Sequence, residues 1–241
     1  MTVNHTVLDN AVWHALSGPH ARFAKGSDRA RRYDAEISIF WASADASDES
    51  WDALAELARP SSVVVVFRGL STDPPPAWTT LLRGEAHQMV LQHSPADVPV
   101  LPARDEDTGE AVSMRPLTAD DVTAMLELVE LTQPGPFQRR TAELGGYLGI
   151  FHGRTLVAMA GQRFRLPDHC EVSAVCTHPS ARRRGYGSIV SAAVARSIAD
   201  GGETPFLHVT VENEPARLAY EALGFVTRRT VTFAAVRPPA H

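Results

Sequence analysis

Three arginines in a row, Arg182, Arg183 and Arg184, are followed by Gly-Tyr-Gly at Gly185, Tyr186 and Gly187 in the stretch VSAVCTHPSARRRGYGSIV, Val172 to Val190. An apolar strand-like run precedes the arginines, and the helical pattern YGSIVSAAVARSIADGG, from Tyr186, follows them. The first backbone N–H groups of a helix have no partner within the helix, and the helix dipole adds about half a positive charge there. Glycines remove side chains, so a ligand can approach the main chain closely, and guanidinium groups add charge-assisted donors. That combination suits a phosphate or diphosphate. A solvated basic turn in front of an ordinary helix has the same sequence. Two other phosphate patterns do not fit. G-x-x-x-x-G-K-[ST] is absent, and a dinucleotide fingerprint needs its first glycine directly after the strand and a third glycine where Val190 stands. The histidines (His5, His14, His20, His87, His93, His152, His169, His178, His208 and His241) show neither H-x-x-x-H nor H-E-x-x-H spacing, so no metal site is expected.

The elements that must position this turn can be read from the pattern. The chain has 241 residues, 44% hydrophobic and 21% charged, with a net charge of −5. This is an ordinary globular composition, and its acidic balance argues against a nucleic-acid partner. Its apolar runs, such as VVVVF at 63–67, are far shorter than the ~20 residues that cross a bilayer. Cys170 and Cys176 lie too close on one strand to pair with each other. With no charged-then-apolar leader, a reduced cytoplasmic setting is expected. Two parts are expected, residues 1–110 and 111–241, joined by a Pro- and charge-rich linker at about 93–110. In the first part, EISIFWA and SVVVVF read as strands, SDESWDALAELA as a helix ending before Pro60, and EAHQMVLQ as a last strand. In the second part the order is β-α-β-β-β-α-β-α-β, a mixed α/β layout with helices packed on a central sheet. Gly201 and Gly202 close the helix after the arginine turn. Pro215 fits the first turn of a later short helix, and Gly224 lies just past its end.

The stretch AVCTHPSARRRGYGS resembles the acyl-CoA signature of the GNAT superfamily of N-acetyltransferases: a strand, V-x-x-x-P, then [RQ]-x-x-G-x-[GA] opening a helix. Downstream, NEPARLAYEALGF from Asn213 to Phe225 matches that superfamily's N-x-x-A-x-x-x-Y-x-x-x-G-F. The resemblance covers roughly residues 111–236 and is similar to the C-terminal domain of glycine N-acyltransferase. It implies a GNAT-like mixed central sheet flanked by helices, with residues 1–110 as a smaller α/β accessory domain or degenerate GNAT-like half.

The resemblance also implies roles. Arg182, Arg184 and the backbone from Arg183 through Gly185, Tyr186 and Gly187 to Ser188 would take the diphosphate of acetyl-CoA or another short acyl-CoA. The pantetheine would add like a strand to the free backbone of Val175, Cys176 and Thr177. The Val175 N–H would face the thioester carbonyl, where negative charge develops. An aliphatic amine arrives mostly protonated at neutral pH, and Glu171 stands where some family members keep a general base, acting directly or through water. Strand alternation would put Glu171, Ser173 and Val175 on one face. A glutamate at the rim of a strand is the plainer reading. Tyr220 stands where many members donate a proton to the departing thiolate; a buried tyrosine satisfied by backbone is the alternative. Asn213 would contact CoA or cap the helix. Cys176 has no histidine placed as its activator and suits a small core residue. Arg139 and Arg140 could draw a substrate carboxylate or serve as surface solvation, and Trp41, Trp51 and Trp78 suit core or domain-interface packing.

These readings converge on an acyl-CoA-dependent N-acyltransferase moving an acetyl group to a primary amine of a small molecule or peptide by direct attack. A homodimer is compatible with the sequence. The competing readings are a non-catalytic acyl-CoA-binding regulatory module and a nucleotide-binding oxidoreductase half, the latter with Glu212 as ribose ligand.

Overall fold

The β-rich runs and helical segments expected of residues 111–241 form in the expected order. A computed structural model describes residues 5–58, 62–69, 73–93 and 98–239. In the C-terminal half, strand β6 (Val112–Pro116) leads to helix α3 (Val122–Thr132), then to strands β7 (Tyr147–His152), β8 (Thr155–Leu166) and β9 (His169–Thr177). Helix α4 (Tyr186–Asp200), strand β10 (Thr204–Thr210), helix α5 (Glu214–Ala222) and strand β11 (Phe225–Arg237) complete it. Strands β6 to β9 pair antiparallel in sequence, and β9 and β10, joined through α4, pair parallel.

The N-terminal half repeats much of this plan. Helix α1 (Ala11–Ser17) precedes strands β1 (Ala24–Gly26), β2 (Ala30–Tyr33) and β3 (Phe40–Ser43), which pair antiparallel in sequence. Helix α2 (Asp48–Leu57) then leads to β4 (Val64–Arg68), which pairs parallel with β3, and β5 (Thr79–Leu91) follows. Ser47 opens α2 by accepting from the Ser50 N–H at 3.3 Å, and the acidic Asp48 and Glu49 complement the positive helix end. Pro60 lies outside the described residues. The short α1, β1 and β2 carry too little periodicity to stand out in the sequence.

The two halves are interlocked through their last strands. The sheet runs β1-β2-β3-β4-β11-β5-β10-β9-β8-β7-β6. Strand β5 of the N-terminal half lies between β10 and β11, and β11 of the C-terminal half lies between β4 and β5. Each half thus covers an edge the other would expose, which removes unpaired backbone groups from the middle of the molecule.

Helices cover the sheet through apolar stripes. Ile189, Val190 and Val194 of α4 pack on Ile150, Val172 and Leu207, while Met125 and Leu128 of α3 pack on Tyr147, Met159 and Cys176. Val12 and Leu16 of α1 meet Phe164 and Phe206, and Trp51 of α2 meets Trp78 edge-on at 5.1 Å. Gly224 closes α5 with φ of 90°, and a Cβ there would lie 2.4 Å from the His93 carbonyl oxygen, so the Gly-Phe step at 224–225 admits no side chain at its first position. Residues 98–111 fold back on the C-terminal half: Val112 N–H donates to the Ala103 carbonyl at 3.0 Å, and Asp105 is fully buried.

Candidate active site

The parallel ladder between β9 and β10 is short. It pairs Thr204 with His169, Pro205 with Cys170 and Phe206 with Glu171, and goes no further. Beyond that point β9 stays on β8 and β10 stays on β5, so the two strands splay apart. Their facing edges, from Val172 and from Leu207 onward, present backbone groups not paired to each other.

A bulge shapes the open edge. Met159 faces Cys176 and Gly161 faces Ser173, so Ala174 and Val175 together oppose Ala160 alone. Ala174 takes φ of 53°, a left-handed conformation that an alanine adopts only where the surrounding strand pairing enforces it. The bulge also resets alternation. Cys170, Val172 and Val175 belong to the core under α4, while Ala174 and Cys176 pack with α3. The expectation that Glu171, Ser173 and Val175 share one face is therefore corrected: an unbroken strand would do so, and this one is not unbroken.

The arginine-glycine turn stands at the mouth of the splay. Arg183 and Gly185 have φ of 65° and 75°, and the α4 bonding begins with Ile189 N–H to the Gly185 carbonyl at 3.0 Å. The N–H groups ahead of it form the free helix end. A Cβ on Gly187 would meet only the Thr177 Oγ1, at 3.6 Å, so the residue leaves room above the helix end. The Arg182 guanidinium reaches the Thr177 carbonyl at 3.4 Å and borders the cavity described below. Arg184 is otherwise engaged: it forms ion pairs with the buried Asp105 and with Asp107. The Tyr186 ring is buried, with its hydroxyl 3.0 Å from His152 Nε2, so only its backbone faces the turn.

A cavity of about 730 Å³ opens onto the splay. Val175, Thr177, Val209, Asn213, Ala216 and Tyr220 line one part; Ile39, Phe40, Val65, Phe67, Leu82 and Phe233, from β3 and its approach, β4, β5 and β11, line another, and Thr132 to Pro136 border it. Asn213 caps α5, its Oδ1 accepting from the Ala216 N–H at 3.3 Å. Burial pushes the Tyr220 hydroxyl up to about 12, so it is neutral and holds its proton at physiological pH. Burial likewise raises the Cys176 thiol to about 11, which makes it a poor nucleophile. Arg139 and Arg140 are absent from the cavity lining; Arg140 pairs with Glu143 at 2.6 Å and Glu36 at 3.8 Å.

Glu171 sits at the foot of the splay, fully buried. Both its oxygens lie 2.7 Å from the Arg163 guanidinium, Oε1 accepts from His208 Nδ1 at 2.7 Å, and the Phe164 N–H adds a longer bond at 3.4 Å. Burial alone would raise its pKa, but the Arg163 charge and these hydrogen bonds outweigh it and hold the carboxyl at about 2. His208 is pinned at both nitrogens, with Nε2 3.1 Å from the Gln88 side-chain nitrogen. An Nδ1–H tautomer satisfies both contacts, and burial lowers the His208 pKa despite Glu171. Arg163 and His208 line the cavity, whereas Glu171 lies behind them. Sequence reasoning missed both; the available signal was a lone arginine or histidine inside an apolar strand run.

Known proteins share this fold. A family model described as FR47-like protein matches residues 147–234. A protein from Novosphingobium aromaticivorans assigned to the GNAT family as an acetyltransferase superposes with a TM-score of 0.83 at 29% identity, over 97% of this chain and 99% of that one. These matches support a GNAT-like acetyltransferase. A GCN5-related N-acetyltransferase from Kribbella flavida shares the fold at 18% identity and a TM-score of 0.61, over 100% of this chain and 97% of that one. A tandem GNAT protein from the clavulanic acid biosynthesis pathway shares it at 15% identity and a TM-score of 0.56, over 88% and 79%. No curated protein matches the chain. Among the described residues no group of three or more His, Cys, Asp and Glu gathers as metal ligands, and no helix is long and apolar enough to cross a membrane.

Among the described residues, the second half alone keeps an open helix end after its parallel-paired strand. In the first, Asp45 Oδ1 accepts from the Ser47 N–H at 3.0 Å, the Ser47 hydroxyl at 2.6 Å and the Ser50 hydroxyl at 2.7 Å. A side-chain carboxylate thus occupies the start of α2, where an external phosphate would otherwise sit.

Proposed function

We propose that the chain is an acyl-CoA-dependent N-acyltransferase that moves an acetyl or similarly short acyl group to the primary amine of a small molecule. The observation that carries the reading is the end of the β9–β10 ladder at Phe206 and Glu171, which leaves the bulged edge of β9 open beside the bare start of α4. The residues present fit acyl-CoA. The N–H groups of Gly185 to Ser188 and the Arg182 guanidinium would hold the diphosphate, and the β9 edge at Val175 to Thr177 would pair with the pantetheine amides. Acyl-CoA supplies an activated thioester.

The chain's own residues then have distinct tasks. The bulge at Ala174 and Val175 interrupts the register with β8, and a Val175 N–H freed there would stabilise charge developing on the thioester oxygen. The neutral Tyr220 hydroxyl can give a proton to the leaving sulfur. Glu171, an ionised and saturated carboxylate, holds Arg163 and His208 in place and is a positioning residue. The amine's proton leaves to water in the cavity. Arg184 supports the turn through Asp105 and Asp107 rather than by grasping phosphate. Calorimetry with CoA and acetyl-CoA, followed by thiol release in the presence of amines, tests the reading. Binding with amine-dependent release supports it, and binding without release identifies an acyl-CoA-binding module instead.

A further inference from the structure

Among the described residues lining the cavity there is no aspartate or glutamate. The charged groups are Arg163 and Arg182, and the acceptor-side wall is built from Ile39, Phe40, Val65, Phe67 and Phe233. Phe67 packs against the His208 ring at 4.4 Å and against Phe233 at 6.1 Å. The Arg163 guanidinium lies 5.1 Å from the Phe40 ring centre, fixed by the Glu171 pair behind it. A protonated amine entering this space would lose water, find the Glu171 carboxylate behind the wall already held by Arg163, and meet the cationic Arg182. A neutral amine with an apolar body would lose little and bury that body against the rings.

We infer that the acceptor is a weakly basic primary amine on an apolar body of about aromatic size, and that polyamines and lysine side chains are excluded. The inference rests on the acyltransferase reading above and narrows its substrate. It also removes the need for a strong base. At pH 7 an α-amino group, with pKa about 7.7–8.0, is already free in roughly one molecule in ten. A lysine-type amine, with pKa about 10.4, is free in roughly one in 2,500. A site that takes only the free form discriminates between them by roughly two orders of magnitude.

The test is a thiol-release assay with acetyl-CoA and three amines: phenylalaninamide, 2-phenylethylamine and putrescine. At pH 7 kcat/KM should fall in that order, with at least tenfold between the first two. The 2-phenylethylamine rate should climb about tenfold per pH unit from pH 7 to 9, while the phenylalaninamide rate levels off near pH 8. Phe67→Glu, which supplies the missing carboxylate, should raise the putrescine-to-phenylalaninamide ratio at least tenfold. Leu82→Glu, at a more exposed position of the same lining, should shift it in the same direction if the first variant does not fold. Putrescine as the best substrate of the unaltered protein, or a ratio unmoved by either glutamate, would overturn the inference and leave the acyltransferase reading standing. Calorimetry showing no acetyl-CoA binding would end both.

Discussion

Glu171, out of contact with solvent, meets the Arg163 guanidinium through both carboxylate oxygens at 2.7 Å, while Arg163 keeps a small exposure to the cavity. The pair closes the foot of the splay where β9 and β10 part. A base must be able to take a proton near neutral pH, and a carboxyl held at about 2 by a buried cation does so poorly. Glu171→Gln leaves the Arg163 charge buried without its partner. It is expected to destabilise the fold by about 3–5 kcal/mol, as broken buried pairs do. Urea unfolding should show this loss. In the folded fraction at low temperature, kcat should fall by less than tenfold. A kcat drop of a thousandfold at unchanged stability would restore Glu171 as the base.

The helix end at Gly187 predicts a separation of binding from folding. Gly187→Val would place a side chain in the space the diphosphate would fill. Acetyl-CoA affinity should fall at least tenfold by calorimetry, with the melting temperature little changed. Arg182→Ala should also weaken binding with little effect on folding, because the side chain is exposed and makes one long hydrogen bond. Arg184→Ala should do the opposite, since it removes the guanidinium partner of the buried Asp105 and leaves that carboxylate with its hydrogen bonds from Asp107 and Thr108: a loss of about 3 kcal/mol in urea unfolding is expected from a broken buried ion pair.

Tyr220 borders the cavity, and its hydroxyl keeps its proton until far above physiological pH. Tyr220→Phe removes the donor and keeps the ring, which packs edge-on to Phe225 at 6.1 Å. The acetyl-CoA dissociation constant should stay within about threefold, while kcat drops roughly tenfold to a hundredfold, at or below the lower end of general acid effects because thiolate is a tolerable leaving group. An unchanged kcat, measured where chemistry limits turnover, would assign the tyrosine to packing alone.

Acid should destabilise the protein before its carboxylates titrate. His20 is buried and hydrogen-bonded to Tyr33 at 2.9 Å; burial, helped by the charges of Arg22 and Arg165, lowers its pKa from 6.5 to about 4. His169 and His208 are shifted in the same direction, chiefly by burial. With folded values below the unfolded one, the unfolded chain binds more protons, so stability is full above pH 6.5 and declines as pH falls below it. His20 alone accounts for about 3 kcal/mol between pH 6.5 and 4. Glu171, depressed from 4.5 to about 2, adds a second decline across that lower window. Urea midpoints from pH 4.5 to 7.5 should show the first decline, and His20→Gln should flatten it.

The family resemblance, the element order of residues 111–241 and the arginine-glycine turn were legible in the sequence, because each depends on local chemistry. Alternation and helical periodicity name strands and helices, Pro215 and Gly224 bound α5, and missing side chains at Gly185 and Gly187 announce a close approach to the backbone. The tertiary structure decided what each charged side chain does. The Arg163–Glu171 pair, eight residues apart, depends on the β8–β9 register; the contact of His208 with Glu171 and of Arg184 with Asp105 depends on pairings 37 and 79 residues apart. The exchange of β5 and β11 between the halves, and the aromatic wall that the first half gives to the cavity, likewise arise only when distant segments meet. A strand's sequence shows that it will pair, but its neighbour and register are set by burying every apolar face and satisfying every backbone group at once.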